Sequence, residues 1–298
     1  MSVSIHASAT GSSRVASHMP YADIAVAMTG APGDAAALDA AATLARAYGS
    51  RLDVLQLLVM PAPIIDAWGL IPDAGFGEVY ADMREAGRKS VEMLRSRLAE
   101  LAVPGDARLL EALCVEPSSL AAMAVRRNDL VVMATPYREP LDTSVVHAYF
   151  AGVLLESGRP VLLVPSGKAY PLPPRRVLVA WSDTPEAARA LHDAMPFLRT
   201  ADSVEIVTAS STEAGGDDDT GNASLVEHLA HHGVKVVSAT INPGRRSTGM
   251  ALIDHATRIH ADLIVAGGYG HGRFREWALG GTTRDLFLET AVPVLFSH

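Results

Sequence analysis

The fold is decided by residues 261–298, which read ADLIVAGGYGHGRFREWALGGTTRDLFLETAVPVLFSH. An apolar run of strand length (263–266) is followed by a glycine-rich segment, a helical stretch and a second apolar run (294–296). Short apolar runs that alternate with helical segments are typical of βαβ units and a parallel sheet. The stretch therefore predicts an α/β fold with a candidate site at the carboxyl end of a strand.

The same pattern occurs earlier in the chain at a constant spacing. DLVVMA (129–134) aligns with DLIVAG (262–267), and RPVLLVPSG (159–167) aligns with VPVLFSH (292–298), both at an offset of 133 residues. At the front of each copy, DIAVAM (23–28) aligns with RVLVAW (176–181) at an offset of 153 residues. We therefore predict two homologous domains, 21–167 and 176–298, with a disordered leader at 1–20 and a proline-rich linker at 168–175.

Each copy contains five runs of strand length. The runs are 24–28, 52–59, 107–114, 130–134 and 161–164 in the first copy, and 177–181, 204–208, 234–240, 263–266 and 294–296 in the second. Between them, segments such as 78–101 repeat apolar residues every three to four positions, as on one face of a helix. Each domain is therefore predicted to be a five-stranded parallel sheet flanked by helices.

Composition excludes several functional classes. The 298 residues carry 25 Lys and Arg against 33 Asp and Glu, a net charge of −8, which argues against nucleic-acid binding because phosphates require a basic surface. No apolar run approaches the roughly 18 to 20 residues of a membrane span. A single cysteine, Cys114, excludes an intrachain disulfide and is interpreted as a buried apolar residue. We expect a cytoplasmic protein whose partners are small ligands or proteins, with no nucleic acid and no membrane.

Glycines cluster after the fourth strand of the second copy. Gly267 and Gly270 would allow a sharp turn and the close approach of a ligand to backbone N–H groups. Gly280, Gly281, Thr282 and Thr283 stand at the predicted start of the last helix, where free amides and the helix dipole favour an anion. Together they predict a phosphate site at the rim of the sheet. The alternative is that the glycines are plain turn formers.

These residues make the chain similar to tandem universal stress proteins of the UspA-like family, which have the adenine nucleotide α-hydrolase-like superfold. Nucleotide-binding members carry Gly, two residues, Gly, nine residues, Gly and then Ser or Thr. This chain has Gly267, Gly270 and Gly280 at that spacing, and residues 177–198 resemble the family's first strand and helix. The resemblance implies two Rossmann-like domains with strand order 3-2-1-4-5, paired edge to edge through 161–164 and 294–296.

The resemblance also implies an adenine nucleotide, ATP or AMP, with or without Mg²⁺, bound in the second domain. It implies no catalytic residue and no protein ligand for a metal. The nucleotide-binding residues that it implies are Ala180, Trp181, Ser182, Asp183, Val207, Gly267, Gly268, Gly270, His271, Gly272, Gly280, Gly281, Thr282 and Thr283.

Two positions depart from the family pattern. Gly281 stands where nucleotide-binding members have Ser or Thr, so Thr282 or Thr283 would have to supply the hydroxyl. Ser182 and Asp183 stand where the family often has an acidic or amide residue followed by glycine. The phosphate end of the site is therefore better supported than the adenine end.

The first copy lacks the glycine motif. At the 133-residue offset, Ala134, Tyr137, His147 and Ala148 replace the four glycines. We expect Tyr137, His147 and the neighbouring Tyr149 to project into the region where phosphates would lie. The first domain is therefore predicted to be a degenerate partner that binds no nucleotide.

The leading hypothesis is a stress-response protein whose nucleotide occupancy controls interactions with an unidentified protein partner. The two domains would form a pseudo-dimer within the chain, and further association into a homodimer stays open. One alternative is a nucleotide-free tandem scaffold, and another is an enzyme that activates a substrate with ATP. Ser182, His192 and Asp193 predict no hydrolytic triad because no nucleophile elbow is present. His228 and His232 are interpreted as part of a solvated helix, although their spacing could hold a metal.

Overall fold

A computed structural model describes residues 21–60, 73–112, 115–137, 139–210, 218–269 and 281–298, without the side chains of 73–76 and 218–222. The predicted leader at 1–20 and Cys114 lie outside these ranges. So do Gly270, His271, Gly272 and Gly280 of the predicted site.

In the described ranges, ten strands form one sheet. The strands are β1 (Asp23–Met28), β2 (Arg51–Val59), β3 (Gly105–Ala112), β4 (Leu130–Ala134), β5 (Val161–Val164), β6 (Arg176–Trp181), β7 (Ser203–Ala209), β8 (Val236–Ile241), β9 (Leu263–Gly267) and β10 (Val294–Ser297). The helices are α1 (Asp34–Tyr48), α2 (Asp73–Glu100), α3 (Pro117–Val125), α4 (Pro140–Glu156), α5 (Pro185–Asp193), α6 (Met195–Leu198), α7 (Asp218–His231), α8 (Thr248–Arg258) and α9 (Gly281–Glu289).

The sheet consists of two similar halves. Its strand order is β3-β2-β1-β4-β5-β10-β9-β6-β7-β8, so each half has the order 3-2-1-4-5 that the resemblance implied. Neighbouring strands are parallel within each half, whereas β5 and β10 are antiparallel, with Leu295 opposite Leu162. This pairing covers two apolar strand edges that would otherwise be free to associate. The predicted α/β class is confirmed, while the domain boundaries stay a prediction.

Helices cover both faces of the sheet, so the central strands are buried on both sides. On one face, α1, α2, α5, α6 and α7 pack on a cluster that includes Tyr21, Tyr48 and Phe197. On the other face, α3, α4, α8 and α9 pack on a cluster that includes Phe150 and Phe287. The ring centroids of Tyr21 and Phe197 lie 5.1 Å apart, and so do those of Phe150 and Phe287. Both aromatic contacts join the two halves.

Two predicted strands begin two residues away from the observed start, and the other starts agree within one residue. The third begins at Gly105 rather than 107 and ends at Ala112, and residues 113–114 lie outside the description. The eighth begins at Val236 rather than 234, because Val234 still belongs to the end of α7. The amide of Val234 donates to the carbonyl of Leu229 (3.0 Å) after Gly233, which has a φ of 77°. Val234 is therefore apolar because it packs against a helix end, as is common after a capping glycine.

Helix ends are fixed by local hydrogen bonds. The side chain of Thr184 accepts from the amide of Ala187 (3.2 Å) at the start of α5, and Ser247 accepts from Met250 (3.3 Å) at the start of α8. These caps satisfy amides that have no partner inside the helix. Among the described residues, no helix has the length and apolar character needed to cross a membrane.

Candidate functional site

The candidate site lies where β6 runs between β7 and β9. Ala180 is paired with Val207 of β7 on one side and with Ala266 of β9 on the other. The chain leaves β6 through Ser182 and Asp183, which are exposed. In open α/β sheets, ligands bind outside the carboxyl ends of the strands where the winding direction reverses. The fold therefore brings Ala180, Val207 and the start of the glycine segment to one such point.

Gly267, the first glycine of the motif, packs against α5. A Cβ at this position would lie 2.7 Å from the amide nitrogen of Ala187 and 2.8 Å from the carbonyl carbon of Glu186. Both neighbours are backbone atoms, which cannot move aside easily. Packing against α5 is therefore sufficient to require glycine at position 267, whether or not a ligand binds there.

Gly268 is enclosed by the first half of the chain. A Cβ there would lie 2.6 Å from Cδ2 of Leu154 in α4. Its N–H donates to the carbonyl of Ser297 (2.9 Å), and its carbonyl lies 3.0 Å from Nδ1 of His298. The backbone of Gly268 is thus bonded within the protein, so this residue is a poor candidate for a phosphate contact.

Tyr269 anchors the glycine segment to the first half, and sequence reasoning missed it. Its φ of 59° lies in the left-handed region, which disfavours non-glycine residues. Its amide donates to Oγ1 of Thr283 (3.3 Å), and its hydroxyl lies 3.4 Å from Nε2 of His147. Its ring lies 6.3 Å from that of Phe150, and burial raises the pKa of its phenol. The sequence signal that could have identified Tyr269 is the presence of an aromatic residue inside a glycine motif.

The first three residues of α9 differ in exposure. Thr283 is only 4% exposed, and its hydroxyl is used by the Tyr269 amide. Thr282 is half-buried and Gly281 is exposed, with no atom within 4 Å of where its Cβ would lie. Of the two threonines, Thr282 is therefore the better candidate for a hydroxyl ligand.

The side chain of Trp181 lies on the α5 face of the sheet. It is half-buried and packs with the cluster on the α5 face of the sheet. There it lines a cleft between the two halves together with residues of α5, α6 and α7. Its expected place in the nucleotide site is thus supported only by its position in the chain.

The equivalent region of the first half is filled and acidic. Tyr149 is 6% exposed, and burial, aided by the charges of Glu116 and Asp34, raises its pKa to about 12. Asp34 is 7% exposed and accepts hydrogen bonds from the hydroxyl of Thr29 (3.0 Å) and the N–H of Gly30 (2.8 Å). Burial raises the pKa of its carboxyl as well. Buried carboxylates disfavour a phosphate, which supports the prediction of a degenerate site.

The interpretation of His147 was wrong. This ring does not fill the phosphate region of the first half but faces the second half, 5.7 Å from the ring of Phe287. The reason is helical spacing, since His147, Phe150 and Leu154 lie on the face of α4 that meets the glycine segment. Tyr137 is 43% exposed, and its amide donates to the carboxylate of Asp142.

Within the described ranges, no group of three or more His, Cys, Asp or Glu side chains is placed to hold a metal ion. The rings of His228 and His232 make an edge-to-face contact with their centroids 4.7 Å apart.

Comparison with known proteins agrees with this architecture. Residues 174–298 match the model of the universal stress protein family. The crystal structure of a universal stress protein from Archaeoglobus fulgidus DSM 4304 superposes with a TM-score of 0.73 at 17% identity, covering 94% of this chain and 96% of that chain. A functionally unknown protein from Pseudomonas aeruginosa PAO1 gives a TM-score of 0.57 at 13% identity, with 94% and 93% covered. No curated protein matches the sequence significantly.

Residues 174–298 are therefore similar to the universal stress protein family, and the chain as a whole has the fold seen in a solved protein of that family. The resemblance that the sequence indicated is confirmed. At these identities the structural likeness establishes the fold and leaves ligand and partners to be argued from the residues of this chain.

Proposed function

We propose that the protein is a cytoplasmic stress-response protein that binds one adenine nucleotide, ATP or AMP, in its second half. The phosphates would lie against the first turn of α9, with Mg²⁺ accompanying them where the ligand is ATP. The observation that carries the proposal is the open start of α9 at Gly281, beside the point where the sheet reverses its winding. The proposal assigns binding and no catalytic step.

The first turn of α9 suits a phosphate for two reasons. Amides at a helix start have no partner inside the helix and carry a partial positive charge. The structure leaves space at Gly281, and the half-buried Thr282 offers a hydroxyl beside it. In the first half, Tyr149 occupies the position equivalent to Thr282 at the 133-residue offset. We therefore expect one nucleotide per chain.

The packing of α4 against the glycine segment provides a route by which nucleotide binding could change the binding of a protein partner. Leu154 of this helix abuts Gly268, and His147 meets the hydroxyl of Tyr269. A nucleotide that reorders the glycine segment would therefore act on a helix of the first half. Coupling requires that the ligand bind the two arrangements with different affinity.

Calorimetric titration with ATP and with AMP tests the proposal. Wild-type protein should bind with a stoichiometry near one, and the double variant Gly270→Glu, Gly280→Glu should lose binding because it adds two negative charges at motif positions of nucleotide-binding family members. Gly77→Glu is the matched control, since Gly77 is exposed in the first half and has no atom within 4 Å of its Cβ position. Absence of binding to the wild-type protein would refute the proposal.

The variant Gly281→Ser tests the proposal by an expected gain of nucleotide affinity. It restores the hydroxyl of nucleotide-binding family members at a position with free space. One added hydrogen bond to a charged group contributes roughly 1.5 kcal/mol, so affinity should rise about tenfold.

The second candidate function is a nucleotide-free scaffold built from two paired domains. Packing alone accounts for Gly267, and the backbone N–H of Gly268 is already bonded to Ser297, which removes part of the motif's value as a ligand signal. Mass spectrometry of small molecules released on denaturing freshly purified protein separates the candidates. Released adenine nucleotide supports the first, and protein that neither releases nor binds a nucleotide supports the scaffold.

A further inference from the structure

A cleft of about 740 Å³ lies between the two halves on the α5 face of the sheet. The first half contributes Tyr21, Asp129 and Arg159, and the second contributes Trp181 with residues of α5, α6 and α7. Its volume falls within the roughly 300 to 1,000 Å³ of small-molecule sites, which often lie between domains. Among its described lining residues, Trp181 is shared with the predicted nucleotide set.

One wall of the cleft is apolar. Trp181 is half-buried, and Leu191 and Leu225 are 5% and 9% exposed. Met195, which is also half-buried, lines the same cleft. A flat aromatic or aliphatic body would gain by covering these side chains.

A basic group stands beside that wall. Nη2 of Arg199 lies 3.3 Å from Nδ1 of His232, whose ring makes an edge-to-face contact with that of His228. A guanidinium only donates, so Nδ1 of His232 accepts and its Nε2 carries the proton. Arg199 and the Nε2–H of His232 are therefore both donors, and Arg199 forms no ion pair in the described part of the chain.

The carboxylates of the cleft are already engaged. Asp129 accepts from the amides of Ala22 (2.8 Å) and Asp23 (3.0 Å). Asp193 pairs with Arg189 at 3.3 Å. Among the described residues neither carboxylate is paired with Arg199, so its guanidinium can meet a ligand anion, whereas Arg159, the other arginine of the cleft, donates to the carbonyl of Arg126 (2.7 Å).

We infer that this cleft is a second ligand site, separate from the nucleotide site, for a small organic anion with a flat apolar body. The body lies against Trp181 and Leu191, and the anionic group accepts hydrogen bonds from Arg199 and His232. The inference does not depend on nucleotide binding, because the glycine segment plays no part in it.

The test compares 1-naphthoate with its neutral isostere 1-naphthamide by calorimetric titration of the full chain. Naphthoate should bind at least tenfold more tightly than the amide, and Arg199→Gln should remove that preference. Arg245→Gln is the matched control, because Arg245 is an exposed arginine of the same half that does not line the cleft. Thermal unfolding of each variant verifies that it is folded.

Four results would overturn the inference. Equal binding of the two probes would indicate adsorption to apolar surface, and a preference that survives Arg199→Gln would show that another group binds the anion. No binding of naphthoate at millimolar concentration would also exclude the site. Displacement of naphthoate by saturating ATP would assign the cleft to the nucleotide instead. Binding of naphthoate in the Gly270→Glu, Gly280→Glu variant would support two separate sites even if ATP binding fails.

Discussion

In both halves a strand packs closely against the start of a helix. The glycine at this contact stands at the helix start in the first half and in the strand in the second half. In the first half, Gly33 before α1 meets Ala134 of β4, where an added Cβ would lie 2.7 Å from the Cβ of Ala134. In the second half, Gly267 of β9 meets Glu186 of α5. The aligned positions therefore exchange glycine between strand and helix. Close packing requires one glycine at this contact and does not decide which element carries it.

A second contact repeats the exchange. Gly152 of α4 packs on Ser118 of α3, with its Cβ position 2.6 Å from the Cβ of Ser118. In the other half, Gly249 of α8 packs on Asp285 of α9 at the same distance. Glycines in a ligand-binding motif can thus be required by close packing. Each glycine of the motif therefore has to be assigned either to packing or to ligand binding.

Gly267→Ala should have the largest effect on stability, because its Cβ would meet backbone atoms of α5. Overpacking of this kind costs about 1 to 3 kcal/mol, and we expect about 2 kcal/mol in the free energy of unfolding from denaturant titration. Gly281→Ala, at an open position, serves as the control. Equal stability of the two variants would contradict the packing role of Gly267.

Adding Glu186→Gly to Gly267→Ala recreates the arrangement of the first half. Because Glu186→Gly removes only the Cβ contact at 3.0 Å and leaves the two shorter backbone contacts, the double variant should recover about 0.5 kcal/mol relative to the sum of the single changes. It also removes Glu186 Oε2, which is buried and has no hydrogen-bond partner among the described residues. Strictly additive effects would mean that the two contacts are not equivalent.

Asp34→Asn tests the acidity of the first half. Burial raises the pKa of Asp34 from 3.8, so its contribution to stability is full below that pH and is lost as the pH rises through the folded pKa. The variant should therefore gain stability relative to wild type from pH 4 upwards, by on the order of 1 kcal/mol. Unfolding free energies at several pH values measure this, and a constant difference would refute the assignment.

His147→Gln should give a smaller effect of opposite sign. Burial lowers the pKa of His147 below 6.5, so its contribution is present above that pH and is lost on acidification. Wild type should lose a few tenths of a kcal/mol relative to the variant between pH 7 and 5.5, because half-exposed charges are screened by solvent. An NMR titration of the imidazole that gives a pKa above 6.5 would contradict this.

Much of the fold could be predicted because buried parallel strands appear as continuous apolar runs. β4 and β5 begin and end where the runs do. The start of β8 could not be predicted in this way, because Val234 is apolar for a different reason, the packing of a helix end.

The candidate site was less accessible to sequence reasoning. Spacing located the glycine segment, but the role of Gly267 depends on a helix 80 residues earlier in the chain. Tyr269 and His147 act through a contact between the halves that no local pattern encodes. Such roles follow from tertiary packing, which a single sequence does not state.

The central claim is that one chain with two similar halves has one nucleotide site. Amide hydrogen exchange with and without saturating ATP tests it most directly. The account predicts slower exchange at Ala180 to Asp183 and at Gly281 to Thr283, and no change at Thr29 to Asp34. Protection of the first half, or no protection in either half, would contradict the claim.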